Sequence, residues 1–213
     1  GKKLIDYLGV PVMQAKSKGE SQSAYMVEQG DPWGIASQDY DTLLFGGKRL
    51  IRNFAVKRSK KVKDTTVTLD IEYINLSKFL DSLKISQEQL IDMGILIGTD
   101  FYPGIKGIGQ HKAYDLIKEY KTLDNILKQK VSIGKKEIEI EPEIIEQVRN
   151  IFLNPNVEKE YQKPKWKNVK YEKVEELLIE EHNFSTQRVK NALGRLKKLK
   201  RNSKQTSLDT FFK

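Results

Sequence analysis

Ser37-Gln38-Asp39-Tyr40-Asp41-Thr42-Leu43-Leu44-Phe45-Gly46 is the stretch on which the fold turns. Gly34-Ile35-Ala36 leads into it with small and β-compatible residues, so a buried strand is expected to end at about Ser37. Two carboxylates one residue apart follow, and an apolar turn of helix is expected to begin near Asp39. Both acids then stand at the carboxyl end of a strand, where open α/β sheets gather their ligands. Asp-x-Asp alone is a common pattern, and its plainer reading is a helix cap beside a solvated aspartate.

Composition limits the chemistry these acids can serve. The chain has 213 residues, 38% of them hydrophobic, which is enough to bury a real core. No apolar run reaches membrane-spanning length, so no membrane partner is expected. Cysteine is absent and histidine occurs only as His111 and His182, which makes zinc and thiolate sites improbable. A metal here would be held by oxygen, which points to Mg²⁺ or Mn²⁺. The net charge of +9 suggests a polyanionic partner. Two acid-free basic runs, Lys57–Lys63 and Lys197–Arg201, concentrate that charge; a lysine-rich solvated surface is the competing explanation.

Upstream of the acidic stretch, Lys2–Leu8 has helical spacing with Leu4, Ile5 and Leu8 on one face. Gly9 stops it, and Val10–Met13 reads as a short strand. A βα unit met in mid-helix suggests a segment upstream. Glu20 opens the next helix, read over residues 21–29, and Gly30-Asp31-Pro32 breaks it before a strand over 33–37. Downstream, Arg49–Val56 alternates as a strand with Val67–Ile71 as its antiparallel partner, the basic run between them serving as an exposed connector. Leu76–Leu83 is a short helix.

Ser86-Gln87-Glu88-Gln89 has the form of a capping box and starts an apolar helix that stops at Gly98. Asp100, a third acid at an element end, stands just beyond it. Then come Gly104-Ile105-Lys106-Gly107-Ile108-Gly109 and a helix over 110–120. The glycine order fits neither the dinucleotide fingerprint nor a Walker loop. It fits a helix–hairpin–helix, in which glycines let backbone N–H groups approach phosphates and a helix N-terminus adds its dipole. His111 and Lys112 can extend those contacts; an ordinary tight αα-turn with a solvated first turn is the alternative. Further helices are read over 122–128, 143–152, 171–181 and 185–199, with Arg201–Lys204 as a polar linker. The closing Gln205, Leu208, Phe211 and Phe212 form a compact anchor, able to plug an apolar pocket on a partner from one helical turn.

In this order and spacing the motifs resemble the flap endonuclease family, structure-specific 5′ nucleases of replication and repair. The resemblance runs from about Leu4 to Lys213 and rests on Gly9-Val10-Pro11, Ser37–Gly46, Ile97-Gly98-Thr99-Asp100, Gly104–Gly109 and the closing Gln205–Phe212. It implies an α/β fold, a mostly parallel sheet between helices, with the hairpin element at its side and a flexible tail. Residues 1–98 would be the C-terminal half of the nuclease core, 99–200 the hairpin and helical region, and 201–213 the tail. Glu20, Asp39, Asp41 and Asp100 match metal-binding acids serving two Mg²⁺ or Mn²⁺ ions. The hairpin matches an element that grips duplex phosphates and holds a K⁺ on its carbonyls. The tail matches a box that binds the sliding clamp.

Two departures qualify the match. Lys18-Gly19-Glu20 stands where the family carries Glu-x-Glu, so one expected carboxylate is a lysine, which is expected to pair with Glu20 or Asp39 or else to face solvent. The family's N-terminal half, with its other acids and helical arch, is not in the sequence, and is therefore an expected partner. The resemblance places such a protein in the archaeal cytoplasm or the eukaryotic nucleus. Two functions compete: part of a flap-cutting enzyme, or a non-catalytic module for DNA and clamp. A generic basic scaffold accounts for neither the acids nor the tail.

Overall fold

The structure, a computed structural model, describes residues 1–54, 59–62, 65–68, 70–134 and 136–203. Chain contacts divide it into two compact units, residues 15–161 and residues 1–14 with 162 onward. This cut differs from the one drawn from motifs at residues 98 and 200. The first helix, α1 (Lys2–Tyr7), belongs to the smaller unit, and the larger opens with α2 (Gly19–Glu28).

Next in the larger unit come β1 (Ile35–Ala36), α3 (Asp41–Leu44), β2 (Arg49–Arg52), the pair β3 (Ser59–Val62) and β4 (Thr65–Thr68), and β5 (Glu72–Asn75). The central sheet has the order β1-β2-β5, parallel between the first two and antiparallel between the last two. Ile35 faces Leu50 and Leu50 faces Ile74, so the register puts one apolar residue from each strand on the same side. Leu50 has no exposed surface, and burying such a side chain is worth roughly 1.5–3 kcal/mol.

The expected pairing of Arg49–Val56 with Val67–Ile71 is not what forms. The intervening chain folds on itself as β3 and β4, with Lys60 opposite Val67, and β2 pairs with Glu72–Asn75 instead. The run read as a connector therefore carries a strand; Lys57, Arg58 and Lys63 lie outside the described residues. Strand 33–37 shrinks to its central pair, although the Ser37 amide still donates to Ile51 at 3.2 Å.

Helices α4 (Leu76–Leu83), α5 (Gln87–Ile97), α6 (Gln110–Tyr120), α7 (Leu123–Lys128) and α8 (Pro142–Leu153) complete the larger unit, with a small hairpin of β6 (Ser132–Ile133) and β7 (Lys136–Glu137) between the last two. The capping box at Ser86 and Gln89 is formed in both directions. Helix α5 is the core element, with Ile91, Ile95 and Leu96 fully enclosed. Its Asp92, 2% exposed, takes Arg149 of α8 at 2.7 and 2.9 Å and the Leu123 amide at 2.8 Å. One buried carboxylate thereby ties α5 to the start of α7 and to α8.

The smaller unit packs α1, α9 (Tyr171–Glu175), a π-helical turn (Glu176–Glu181) and α10 (Thr186–Ser203) around Val174, Val189 and Leu193. Val10–Met13, expected as a strand, has no strand beside it among the described residues; instead the Gly9 carbonyl accepts the Lys167 amide at 2.9 Å. Helix α10 continues through Arg201–Ser203, part of the expected linker. Lys204 and the tail, including Gln205, Leu208, Phe211 and Phe212, lie outside the described residues.

Candidate metal centre and phosphate-binding hairpin

The turn between β1 and α3 is built by its own side chains. Ser37 Oγ accepts the Asp39 amide at 3.1 Å, and Asp39 Oδ1 accepts the Asp41 amide at 2.9 Å. Asp39 stands one residue before the helix N-cap, Tyr40, and the helix begins at Asp41 rather than at Asp39. Thr42, fully buried, fixes the next position, while Asp39 stays exposed and Asp41 is partly covered.

Asp100 reaches this turn from α5. Gly98 ends the helix at φ +116°, and Thr99 and Tyr102 bond each other's backbone, which leaves Asp100 at the tip. The Asp100 amide donates to the Asp41 carboxylate. Burial, then the charges of Asp39 and Asp100, push the Asp41 acid up to about 6, against the opposing pull of Lys18 and that amide. Glu20 stands in the first turn of α2, close enough to act on the charge of Lys18. The structure therefore brings Asp39, Asp41 and Asp100 together, with Glu20 linked to them through its charge on Lys18.

Lys18 lies at the head of α2 and reaches into this group. Its Nζ is 2.5 Å from Asp100 Oδ2 and 5.5 Å from the centre of the Phe101 ring. The hydrogen bond to Asp100, with the charges of Glu20 and Asp41 adding to it, holds the ammonium above its ordinary pKa. The expected pairing with Glu20 or Asp39 is replaced by pairing with Asp100. The two residues are 82 apart in sequence, and only the fold brings them together.

The donor set suits a divalent cation of the Mg²⁺ or Mn²⁺ kind, since every candidate ligand is a hard carboxylate oxygen. Burial first, and then the neighbouring carboxylates, raise the Asp41 acid, with Lys18 opposing them. Among the described residues, no three acids already stand in ligating positions about one point. The chemistry fits, then, while the ammonium of Lys18 takes one of the carboxylates.

The hairpin lies immediately beyond. Two of its glycines do different work. A side chain on Gly104 (φ +75°) would meet the Ile97 carbonyl at 2.3 Å, so this residue lets backbone pack on backbone. Gly107 (φ +91°) has nothing within 4 Å of where a side chain would be, so it faces open space. Ile105 anchors the loop through its amide to Leu96 at 2.9 Å, and Ile108 is buried beneath it. Helix α6 starts at Gly109 without a side-chain cap. Lys106, His111 and Lys112 are exposed around that start, and Lys112 Nζ donates to the Gly107 carbonyl at 3.0 Å.

Sequence reading missed two neighbours of the acidic turn. Arg52 and Tyr40 stack at 3.8 Å, and Arg52 also reaches Gln38 and Glu72. Arg52 shares the strand face of the buried Leu50, two residues away, so no local pattern marks it as a neighbour of the turn.

The XPG I-region pattern matches residues 9–100, the stretch that holds all four acids. Flap endonuclease 1 of Staphylothermus marinus is 49% identical over 217 residues, covering 99% of this chain and 60% of the relative. Flap endonuclease 1 of Pyrobaculum calidifontis is 46% identical with the same coverage. Over the part it spans, the chain is flap-endonuclease-like. It spans about 60% of the length of these curated flap endonucleases. The solved flap endonuclease of Methanococcus jannaschii superposes with a TM-score of 0.74 at 33% identity, covering 95% of this chain and 57% of that one. The Rad2 catalytic core in complex with a DNA substrate shares the fold, with a TM-score of 0.75 at 20% identity, over 92% of this chain and 67% of that one. The α/β class expected of a flap endonuclease is what these structures share.

Proposed function

We propose that this chain is the part of a metal-dependent 5′-flap endonuclease that carries four of its metal-binding acids, its phosphate-gripping hairpin and its clamp-binding tail. The observation that carries the reading is the meeting of Asp41 with Asp39 and Asp100 from two different supersecondary units, with Asp100 four residues before Gly104 of the hairpin. A module that only bound DNA would gain nothing from crowding carboxylates beside a phosphate-binding surface, where they repel the ligand unless cations sit among them.

Glu20, Asp39, Asp41 and Asp100 would hold the ions, which supply activation of water and neutralisation of charge on the scissile phosphodiester. Asp41 and Asp39 are oriented by the turn, and Asp100 by the bridge beyond α5. Lys18 must leave Asp100 before that carboxylate becomes a ligand. The hairpin offers uncapped amides at the start of α6 and the lysines Lys106 and Lys112 to duplex phosphates, and its carbonyls would hold a K⁺. Such contacts read charge and shape rather than sequence. The Rad2 core, which shares this fold, is solved with a DNA substrate, in keeping with a DNA partner.

Cleavage by this reading needs the N-terminal half of the family's fold. The test is a reconstitution: the chain is mixed with a matching N-terminal half from a relative and a 5′-labelled flap substrate in Mg²⁺. Cutting at the flap junction by the mixture, and none by either part, supports the enzyme reading. A mixture that binds the flap and never cuts it favours the second reading, a DNA- and clamp-binding module, which Lys18 in the acidic group supports.

A further inference from the structure

Arg52 brackets the acidic turn from both sides. It projects from β2, where it lies opposite Glu72 of β5. Its Nη1 donates to Glu72 Oε2 at 2.6 Å and also to the Tyr40 hydroxyl. Its Nε donates to the Gln38 carbonyl at 3.2 Å, and the guanidinium lies over the Tyr40 ring, 3.8 Å from its centre. Gln38 and Tyr40 are the residues on either side of Asp39.

Gln38, Asp39 and Tyr40 are all exposed, and α3 has four residues, too few to be stable on its own. Thr42 and the residues after it are locked in the core. The segment before them is held by the Ser37 hydroxyl on the Asp39 amide, by the Tyr40 carbonyl on the Leu43 amide at 2.8 Å, and by the side chain of Arg52. Because Asp39 Oδ1 accepts the Asp41 amide, any drift of residues 38–40 moves both acids.

We propose that Arg52 is a positioning residue for the metal centre: it fixes residues 38–40 so that the Asp39 and Asp41 carboxylates share one set of positions. Glu72 shares Nη1 with the Tyr40 hydroxyl and is secondary. The role needs a planar group that donates in several directions while stacking on a ring, which arginine supplies and lysine does not. The inference rests on the metal reading above for what the turn is held for, but not for the fact of its being held.

The test compares Arg52→Ala, Arg52→Lys and Glu72→Ala with the parent chain in two measurements. The first is amide hydrogen exchange at Asp39–Asp41 without metal. The second is the Mn²⁺ concentration that half-broadens the amide signals of the same residues. Partners of metal ligands typically cost ~10–100-fold in metal affinity when removed. Arg52→Ala is expected to speed Asp41 exchange at least about tenfold and to weaken Mn²⁺ binding by a similar factor. Arg52→Lys should fall between, and Glu72→Ala should stay near the parent in both. Urea midpoints of all four proteins separate these local effects from general loss of fold. If Arg52→Ala leaves Asp41 exchange unchanged, or if Glu72→Ala matches it in both measurements, Arg52 is only half of a sheet ion pair and the proposal fails. A parent chain that takes up no Mn²⁺ contradicts the metal reading instead, and the exchange result still decides what Arg52 does.

Discussion

Burial and the neighbouring carboxylates of Asp39 and Asp100 lift the Asp41 acid to about 6, and a sign follows for stability. A raised folded-state pKa means that the folded chain holds this proton more tightly than the unfolded one. Stability is therefore lost as pH rises from the ordinary aspartate range through about 6 and is level above that. Asp41→Asn removes the ionisation. Without metal, it should raise the urea midpoint at about pH 8 and leave it unchanged at about pH 3, where both states are protonated. Equal shifts at both values would mean that Asp41 matters through packing and not through charge. Arg149 presents the opposite case. It neutralises Asp92, which is 2% exposed, and Arg149→Ala would strand that carboxylate among α5, α7 and α8. Loss of one member of a buried pair costs about 3–5 kcal/mol, readable from the change in urea unfolding. A loss within the range of surface pairs, about 1 kcal/mol or less, would show that water reaches Asp92.

At the scale of elements, the hairpin separates a glycine that folds the chain from one that faces open space. Gly104→Ala puts a methyl 2.3 Å from the Ile97 carbonyl and should fold poorly. Gly107→Ala meets nothing, so it should fold with a penalty of about 1 kcal/mol from its positive φ and weaken duplex binding at matched salt. Full duplex affinity in Gly107→Ala, measured by fluorescence anisotropy, would move the phosphate grip elsewhere. The hairpin was legible in the sequence because each of its signals is local: the Ser86 box, the stop at Gly98, the spacing of Gly104, Gly107 and Gly109. Helix α4 was legible for the same reason. The sheet was not. Whether β2 pairs with Val67 or with Ile74 depends on which register buries Leu50, and nothing within either segment says so. The acids were legible one at a time, as residues at element ends. The ion pair of Lys18 with Asp100, and the grip of Arg52 on the turn, arise from chain neighbours far apart in sequence, so no local pattern announces them.

For the whole molecule, the tail is proposed to bind a sliding clamp. Phe211→Ala with Phe212→Ala should cost at least about 30-fold in affinity for a sliding clamp, the usual size of one buried aromatic anchor, and leave duplex binding unchanged. Unaltered clamp affinity would remove the tail from the account. The central claim concerns the acids, and Mn²⁺ titrated into the isotopically labelled chain tests it most directly. The broadening should centre on the amides of Glu20, Asp39, Asp41 and Asp100, and Lys18→Glu should bring it on at lower Mn²⁺ by about tenfold or more, as a carboxylate replaces the ammonium now held by Asp100. Broadening centred on the acids of residues 137–143, or the same titration curve for Lys18 and Lys18→Glu, would contradict it.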